Sequence, residues 1–597
     1  MRLSDYVMRF LANRGVRQVF FVPGGAAMHL NDSLGGTPAL EPVGHHHEQA
    51  AAIAAEGYAK ATGTLGVALV TAGPGGTNAV TGVAGAWLDS SPVLFLSGQV
   101  KRADLAKSRG VRSYGVQEVD IVSIVRPITK AVVLVEEPDR IRYELERVCH
   151  LATTGRPGPV WIDLPLDVQG AQIDPEALAG FVSEGPELGS DAPRVAQLVD
   201  ATVDILESSR RPVVLIGNGV RCAHGEEVMA HAVDLLGIPV LLTWHSIDLL
   251  PCDHPLFAGR PGLVAPRGAN FTLQNSDALL AVGARLDLVI SGYAPAALAR
   301  GAKKVVVDID EAELRKNPVD LSIHCDARLF LEELVRRLEQ RPARVDRRAW
   351  VDQTREWKAK YPLVLPQHRR TSRISMYAFT EAIDRALTDE LVVSGCAGSA
   401  IEIFLLVHDV RRGQKVVHTT GLGAMGYGVP LAVGACLGAG RKPTVLVKGD
   451  GGLQFNVQEL ETIRRLALPI KIFVLDNGGY SSIRTSQQRH FGRLVGADPS
   501  SGLTLPDLEK LATAYGLPFE RISDPENLPT RLREVLDRQG PILVQVQVLP
   551  DEERVPSLVA RRRPDGSMWS PPLEDLSPPL GPDELRANMF VPLVEGE

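Results

Sequence analysis

Two glycine-flanked oxygen ligands stand one helix apart in the last third of the sequence. The apolar run 444–447 reads as a buried strand and ends in Gly449-Asp450-Gly451-Gly452. Val457, Leu460, Ile463 and Leu466 then recur at helical spacing, and a second apolar run, 470–475, leads into Asp476-Asn477-Gly478-Gly479. Such a unit is βαβ, and in a parallel sheet the residues just past neighbouring strands face one crevice. Asp450 and Asn477 therefore converge on one ion. Two hard oxygen ligands completed by phosphate oxygens suit Mg²⁺, which binds through few protein ligands. The glycines let backbone approach phosphates closely. A bare GDGG is equally a glycine turn with an incidental acid; the second cluster one helix later favours the ligand reading.

A second candidate lies near the start of the chain. Gly44-His45-His46-His47-Glu48-Gln49 precedes an Ala-rich helical stretch, 52–61. A glutamate opening an apolar helix is partly desolvated, which suits it to proton exchange, although the same position suits a plain N-terminal charge. The histidine run has no further ligands at metal-binding spacing and reads as polar side chains facing solvent.

Elements that position these residues follow from the apolar pattern. Short strand-like runs alternate with helix-length segments in three blocks: 18–22, 66–70 and 93–97; 212–217, 239–242, 278–282 and 304–309; 391–394, 444–447, 470–475 and 542–546. The fold class is α/β, with three doubly wound parallel-sheet domains expected at 1–170, 190–340 and 370–550, a linker over 170–193, and a Pro- and charge-rich tail, 551–597, that wraps a surface or orders on a ligand. Lys+Arg 64 against Asp+Glu 71 gives a net charge of −7 in 597 residues. That balance lacks the basic footprint of a nucleic-acid or anionic-membrane binder and leaves small-molecule chemistry. Six scattered cysteines without a CxxC pair are those of a reduced, cytoplasmic protein. Neither a leader pattern at the N-terminus nor an apolar stretch of roughly 20 residues is present.

GDGG followed after a helix by DNGG resembles the thiamine diphosphate (ThDP) motif. Segments 44–51, 72–78, 97–100, 114–120 and 421–428 resemble the acetolactate synthase branch of that superfamily, and together the matches span nearly the whole chain. The resemblance implies a metal site of Asp450, Asn477 and the carbonyl of Gly479, with Asp476 standing where the family carries Asn. It makes Glu48 the acid–base group at the cofactor's aminopyrimidine and places Gln99 and Gln117 on substrate oxygens. Cofactor contacts are implied from Pro23, Gly24, Gly25, Gly73 and Asn78 in the first domain. In the third they are implied from Gly395, Cys396, Ala397, Gly398, Ser399, Gly423, Met425, Gly449, Gly451, Gly452 and Tyr480, with Met425 supporting the bent cofactor. The active site then joins the first domain of one subunit to the third of another, so the smallest unit is a homodimer, or a homotetramer built from two. An intact Glu48, Asp450 and Asn477 argue against a non-catalytic relative.

The middle block is similar to the domain that binds FAD in acetolactate synthases, with Gly217, Gly219, Gly283, Arg285, Asp308 and Asp310 as its contacts. The implied reaction is decarboxylation of a 2-oxo acid, pyruvate, and transfer of its two-carbon unit to a carbonyl acceptor. Arg112-Ser113-Tyr114 stands where simple decarboxylases carry adjacent histidines, which disfavours release of free aldehyde. Ser486 is nearest the place where the biosynthetic enzymes carry a Trp that selects a small 2-oxo acid. A larger acceptor fits there, with Arg484 facing a negative group. The tail, 563–575, resembles that of enzymes acting on nucleotide-linked ketosugars, which makes acetyl transfer to such a sugar the alternative reading.

Overall fold

The computed structural model describes residues 1–183, 192–341, 345–395, 398–563 and 565–594. Cys396 and Ala397, two of the expected cofactor contacts, lie outside the described residues, as does most of the second half of the expected linker.

Three six-stranded parallel sheets carry the chain. The first holds β1 Gln18–Phe21, β2 Glu41–Gly44, β3 Gly66–Val70, β4 Val93–Gln99, β5 Ala131–Leu134 and β6 Val160–Pro165 in the order 2-1-3-4-6-5. The second holds β7 Pro212–Ile216, β8 Val240–Leu242, β9 Phe257–Gly259, β10 Ala278–Val282, β11 Lys303–Asp308 and β12 Leu321–His324 in the order 12-11-10-7-8-9. The third holds β13 Leu391–Ser394, β14 Val416–Val417, β15 Thr444–Gly449, β16 Ile470–Asp476, β17 Phe519–Ile522 and β18 Ile542–Gln547, and its order, 14-13-15-16-18-17, repeats that of the first. Helices cover both faces, so central strands such as β3 and β10 are buried at every position and read as unbroken apolar runs.

Strand order fixes where ligands go. In the first and third sheets the chain reverses direction between their first and third strands, opening a crevice past β1/β3 and another past β13/β15; in the central sheet the reversal falls between β7 and β10. The GDGG turn, the Pro23-Gly24-Gly25 turn and the central glycines all sit at these three points.

The first and third domains dock through two small-residue helices, Glu48–Thr62 and Gly428–Gly438. Nearby, a buried polar network joins all three domains. Tyr427 donates to Glu56 (2.6 Å), Lys60 bridges Glu56 (3.0 Å) and Asp89 (2.6 Å), and Asp89 lies 3.4 Å from His245, which stacks on His418 at 4.9 Å between ring centroids. The tail wraps the central domain: Asn270 donates to the Leu573 carbonyl (2.8 Å), Gln274 to Glu574 (2.6 Å) and Asn275 to the Asn588 carbonyl (2.9 Å). No helix among the described residues is long and apolar enough to cross a membrane.

Candidate active site

At the reversal point past β13 and β15 lies a cavity of about 240 Å³. Gly395, Gly398 and Ser399 line it from one strand end; Gly449, Asp450, Gly451 and Gly452 line it from the other. Asn477, Gly479 and Tyr480 arrive from the end of β16, and Met425 from the loop before the Gly428–Gly438 helix. Gly423 belongs to that loop but does not line the cavity. Lys448, Ser482 and Ile483, which the sequence reading passed over, do.

Asp450 is the electrostatic centre. One carboxylate oxygen accepts from the Gly451 N–H (2.8 Å), the other from the N–H groups of Gly478 (2.9 Å) and Gly479 (3.0 Å), which ties the two glycine turns together. Burial, reinforced by the Asp476 carboxylate, nevertheless pushes its pKa up to about 7. Beside it the buried Asn477 Oδ1 has no hydrogen-bond partner. A destabilised carboxylate next to an orphaned amide oxygen is the donor set of an oxygen-loving divalent cation, so the residues present fit Mg²⁺.

The loop holding Asn477 is clamped from behind. Arg484 donates to the carbonyls of Asn477 (3.0 Å) and Pro550 (2.6 Å) and pairs with Asp551 (3.0 Å). Its guanidinium is thus committed to protein partners, and the expected contact with an acceptor's negative group has no free donor set to use. Ser486 is exposed and lines neither this cavity nor the open groove beside Arg484. The helix Ser399–Val407 starts at the cavity with Ser482 Oγ accepting from the Ser399 N–H (2.9 Å).

In the first domain Glu48 is half-buried at the start of its helix, and Asn78 Nδ2 donates to Glu48 Oε2 at 2.9 Å. Pro23, Gly24, Gly25 and Gly73 follow β1 and β3 at that sheet's own reversal point. The first-domain candidates line no part of the third-domain cavity of the same chain. Gln117 is exposed, in a left-handed backbone conformation (φ 66°). Gln99 turns inward instead: its amide donates to Asp163 (2.9 Å) and the Val119 carbonyl (3.0 Å) and accepts from the Val100 N–H (2.9 Å). Asp163 also accepts from Ser97 (2.5 Å), and burial pushes its pKa up to about 7. The histidine run is used structurally, His45 on Glu459 (2.8 Å) and His47 capping the Glu48 helix.

A second cavity, about 280 Å³, opens at the reversal point of the central sheet and is walled by all three domains. Gly219, Gly283, Arg285 and Asp308 line it; Gly217 and Asp310 do not. A Cβ at Gly217 would sit 2.1 Å from the Gly283 carbonyl oxygen, and one at Gly219 would sit 2.6 Å from Gly283 Cα. These glycines let two strand-end loops touch. Arg285 donates to the Leu88 carbonyl (2.9 Å), and Asp310 pairs with Arg156 (2.9 Å). Burial raises the Asp308 pKa.

Comparison with known proteins matches this architecture segment by segment. Residues 1–124 match the thiamine pyrophosphate enzyme N-terminal TPP binding domain, 199–334 the central domain and 395–546 the C-terminal TPP binding domain. Acetolactate synthase 2, chloroplastic, of Nicotiana tabacum is 33% identical over 565 residues, 92% of this chain and 82% of the relative. Acetolactate synthase isozyme 3 large subunit of Escherichia coli (strain K12) is 32% identical over 581 residues, 95% and 98% of the two chains. With the three domains in the same order and a cation-ready crevice in the last of them, the chain belongs to the thiamine pyrophosphate enzyme family, as an acetolactate synthase-like, ThDP-dependent enzyme that forms carbon–carbon bonds.

Proposed function

We propose that the protein decarboxylates a 2-oxo acid, with pyruvate as donor, and joins the two-carbon unit to a carbonyl acceptor. The observation that carries this reading is the orphaned Asn477 Oδ1 beside the raised Asp450 carboxyl, in a chain whose relatives are named acetolactate synthases. ThDP, when bound, supplies the electron sink that decarboxylation requires. Asp450, Asn477 and the Gly479 carbonyl hold Mg²⁺ against the diphosphate. Gly395, Gly398, Ser399, Gly449, Gly451 and Gly452 provide close backbone approach, while Met425 and Tyr480 flank the cofactor.

Glu48 moves a proton at Oε2, kept in place by Asn78. Because no first-domain candidate lines the third-domain cavity, Glu48 comes from a second copy, and a homodimer is the smallest complete enzyme; a homotetramer repeats it. Gln117, exposed on its strained turn, reaches substrate oxygens, while Gln99 orders the loop behind it. The central cavity suits FAD, through Gly219, Gly283, Arg285 and Asp308. Domain limits of 1–170, 190–340 and 370–550 keep each sheet whole, and the unpaired described cysteines suit a cytoplasmic protein.

Among the described residues nothing specifically favours a nucleotide-linked ketosugar, since Ser486 lines neither cavity and Arg484, although it lines an open groove, is held by Asn477, Pro550 and Asp551. Mass spectrometry of products from the purified protein with ThDP, Mg²⁺ and pyruvate tests the reading: acetolactate is expected. Absence of pyruvate decarboxylation, with and without added aldehyde or ketone acceptors, refutes the donor assignment. A flavin spectrum released on denaturation tests the FAD site.

A further inference from the structure

We propose that Asp163 is a positioning residue: through Gln99 it holds segment 117–119 over the Gly73 turn and so sets where Gln117 stands in the site. This deepens the reading that Gln117 reaches substrate oxygens, and rests on it.

β4 and β6 are parallel neighbours, with Ser97 opposite Asp163. Alternation puts Ser97 and Gln99 on one face of β4, and Trp161 and Asp163 on one face of β6. These four side chains form a single run of hydrogen bonds whose direction is set at its far end. The Trp161 indole can only donate, and its Nε1 donates to Ser97 Oγ at 2.8 Å. Ser97 Oγ in turn donates to Asp163 Oδ1 (2.5 Å), and Asp163 Oδ2 accepts from Gln99 Nε2 (2.9 Å). The second N–H of that amide reaches the Val119 carbonyl (3.0 Å), while Gln99 Oε1 accepts from the Val100 N–H (2.9 Å).

Gln99 serves Val119 only while its NH₂ group points that way. A half-turn of the amide would aim Oε1 at the Asp163 carboxylate and the Val119 carbonyl, three acceptors with no hydrogen among them. The carboxylate, which accepts at both oxygens, forbids that half-turn, and with Ser97, Gln99 and Asp163 each no more than 2% exposed, bulk water does not stand in for the lost bonds. The Val119 carbonyl also accepts from the Ile121 N–H (2.9 Å), where the helix Ile121–Val125 starts. Two residues before Val119, Gln117 lies on Gly73, where an added Cβ would stand 2.5 Å from the Gln117 carbonyl oxygen. Gly73 opens the helix Pro74–Leu88, which carries Asn78, the donor to Glu48. A carboxylate buried in the sheet thereby registers the Gln117 loop against the helix that aims the acid–base group.

The test compares the full chain with ThDP and Mg²⁺ at pH 8, above the Asp163 pKa of about 7, for the wild type, Asp163→Leu, Asp163→Asn, Ser97→Ala, Gln99→Met and Asp163→Leu combined with Gln99→Met. Hydrogen exchange over residues 112–121, read by mass spectrometry, is expected to quicken in Asp163→Leu and Gln99→Met. It stays at the wild-type rate in Ser97→Ala, which touches the same carboxylate but leaves the Gln99 bond in place. Misplacing the segment predicts a roughly 10- to 100-fold lower kcat/KM for pyruvate in Asp163→Leu and Gln99→Met, with ThDP affinity unchanged. Asp163→Asn, whose amide oxygen still accepts from Gln99, recovers most of the loss. Because Asp163 acts through Gln99, the double variant loses no more than Gln99→Met alone. Asp163→Ala repeats the comparison if the Leu variant does not fold. A folded Asp163 variant with wild-type exchange over this segment, or losses that add in the double variant, overturns the proposal. If the wild type itself turns over no pyruvate, the proposed reaction fails, and the exchange measurement alone decides whether Asp163 holds the loop.

Discussion

Asn78 Nδ2 donates to Glu48 Oε2 at 2.9 Å, across the gap between the helix that follows β2 and the helix that follows β3. The carboxylate is therefore aimed by a neighbouring helix and not only by its own. Removing the acid–base group while keeping its shape, as in Glu48→Gln, is expected to lower kcat roughly 10²- to 10⁴-fold with ThDP affinity little changed. Asn78→Ala keeps the carboxylate but frees its rotamer, so a smaller loss, about tenfold, is expected. Steady-state kinetics beside a ThDP titration separates the two; equal losses in both variants would mean that Asn78 does more than orient.

Asp450 predicts opposite effects on the apo- and holoproteins. Its folded pKa of about 7 lies above the ordinary carboxylate value, because of burial and then Asp476. The folded state thus holds the proton more tightly than the unfolded state. Its favourable contribution is present below the unfolded pKa, near 4, and is lost as pH rises through 7. Without metal, Asp450→Asn should unfold at a higher temperature than the wild type at pH 8 and differ little at pH 4. With Mg²⁺ and ThDP the order reverses, because the variant lacks the ligand, and its ThDP binding should fall by more than the roughly 10- to 100-fold typical of losing a supporting partner at a metal site. Differential scanning fluorimetry with and without Mg²⁺ plus ThDP reads both arms.

Asp450 and Asn477 were legible in the sequence because glycine turns at the ends of two apolar runs survive as a pattern; Lys448 was not, since one lysine at a strand end looks like a solvated charge. The central strands of each sheet announce themselves by unbroken burial. Edge strands such as β2, with Pro42, and β14, two residues long, carry no comparable signal. Gln99 shows a different limit. Its expected place on the substrate depended on a free amide, and what occupies that amide is Asp163, which in sequence is one acid within the buried strand β6. Likewise, Gly217, Gly219 and Gly283 suggest phosphate contacts, while their packing shows that two of the three needed no side chain because they meet Gly283.

His418 and His245 make the three-domain junction sensitive to acid. Burial, chiefly, holds His418 down to about 4 and His245 to about 3. Unfolded histidines take up protons near pH 6.5. Between pH 6.5 and about 4 the unfolded chain therefore binds more protons than the folded one, and stability falls on acidification. Each histidine contributes at most one proton, about 1.4 kcal/mol per pH unit. His418→Gln preserves a donor for the Trp244 carbonyl, which lies 2.8 Å from His418 Nε2, and should flatten the pH dependence of urea stability between pH 6.5 and 4.5 by up to that slope, with no change of slope above pH 7. An unaltered slope would place the acid sensitivity elsewhere.

Gly434 tests the docking of the first and third domains. A Cβ there would lie 1.8 Å from the Ala54 carbonyl oxygen, and one at Gly57 would lie 2.4 Å from the Leu431 carbonyl oxygen. Two helices at this separation have no flexible side chain to yield, so Gly434→Ala must push the helices apart, at a cost of about 1–3 kcal/mol or more. Ala54 belongs to the helix that begins with Glu48, so the shift also moves the acid–base group, and kcat should fall with stability. Gly35, also helical, has open space at its Cβ, and Gly35→Ala should be neutral or slightly stabilising through helix propensity. Urea unfolding and kcat for this pair decide the matter: if Gly434→Ala is as stable and as active as Gly35→Ala, the close helix contact does not govern either property.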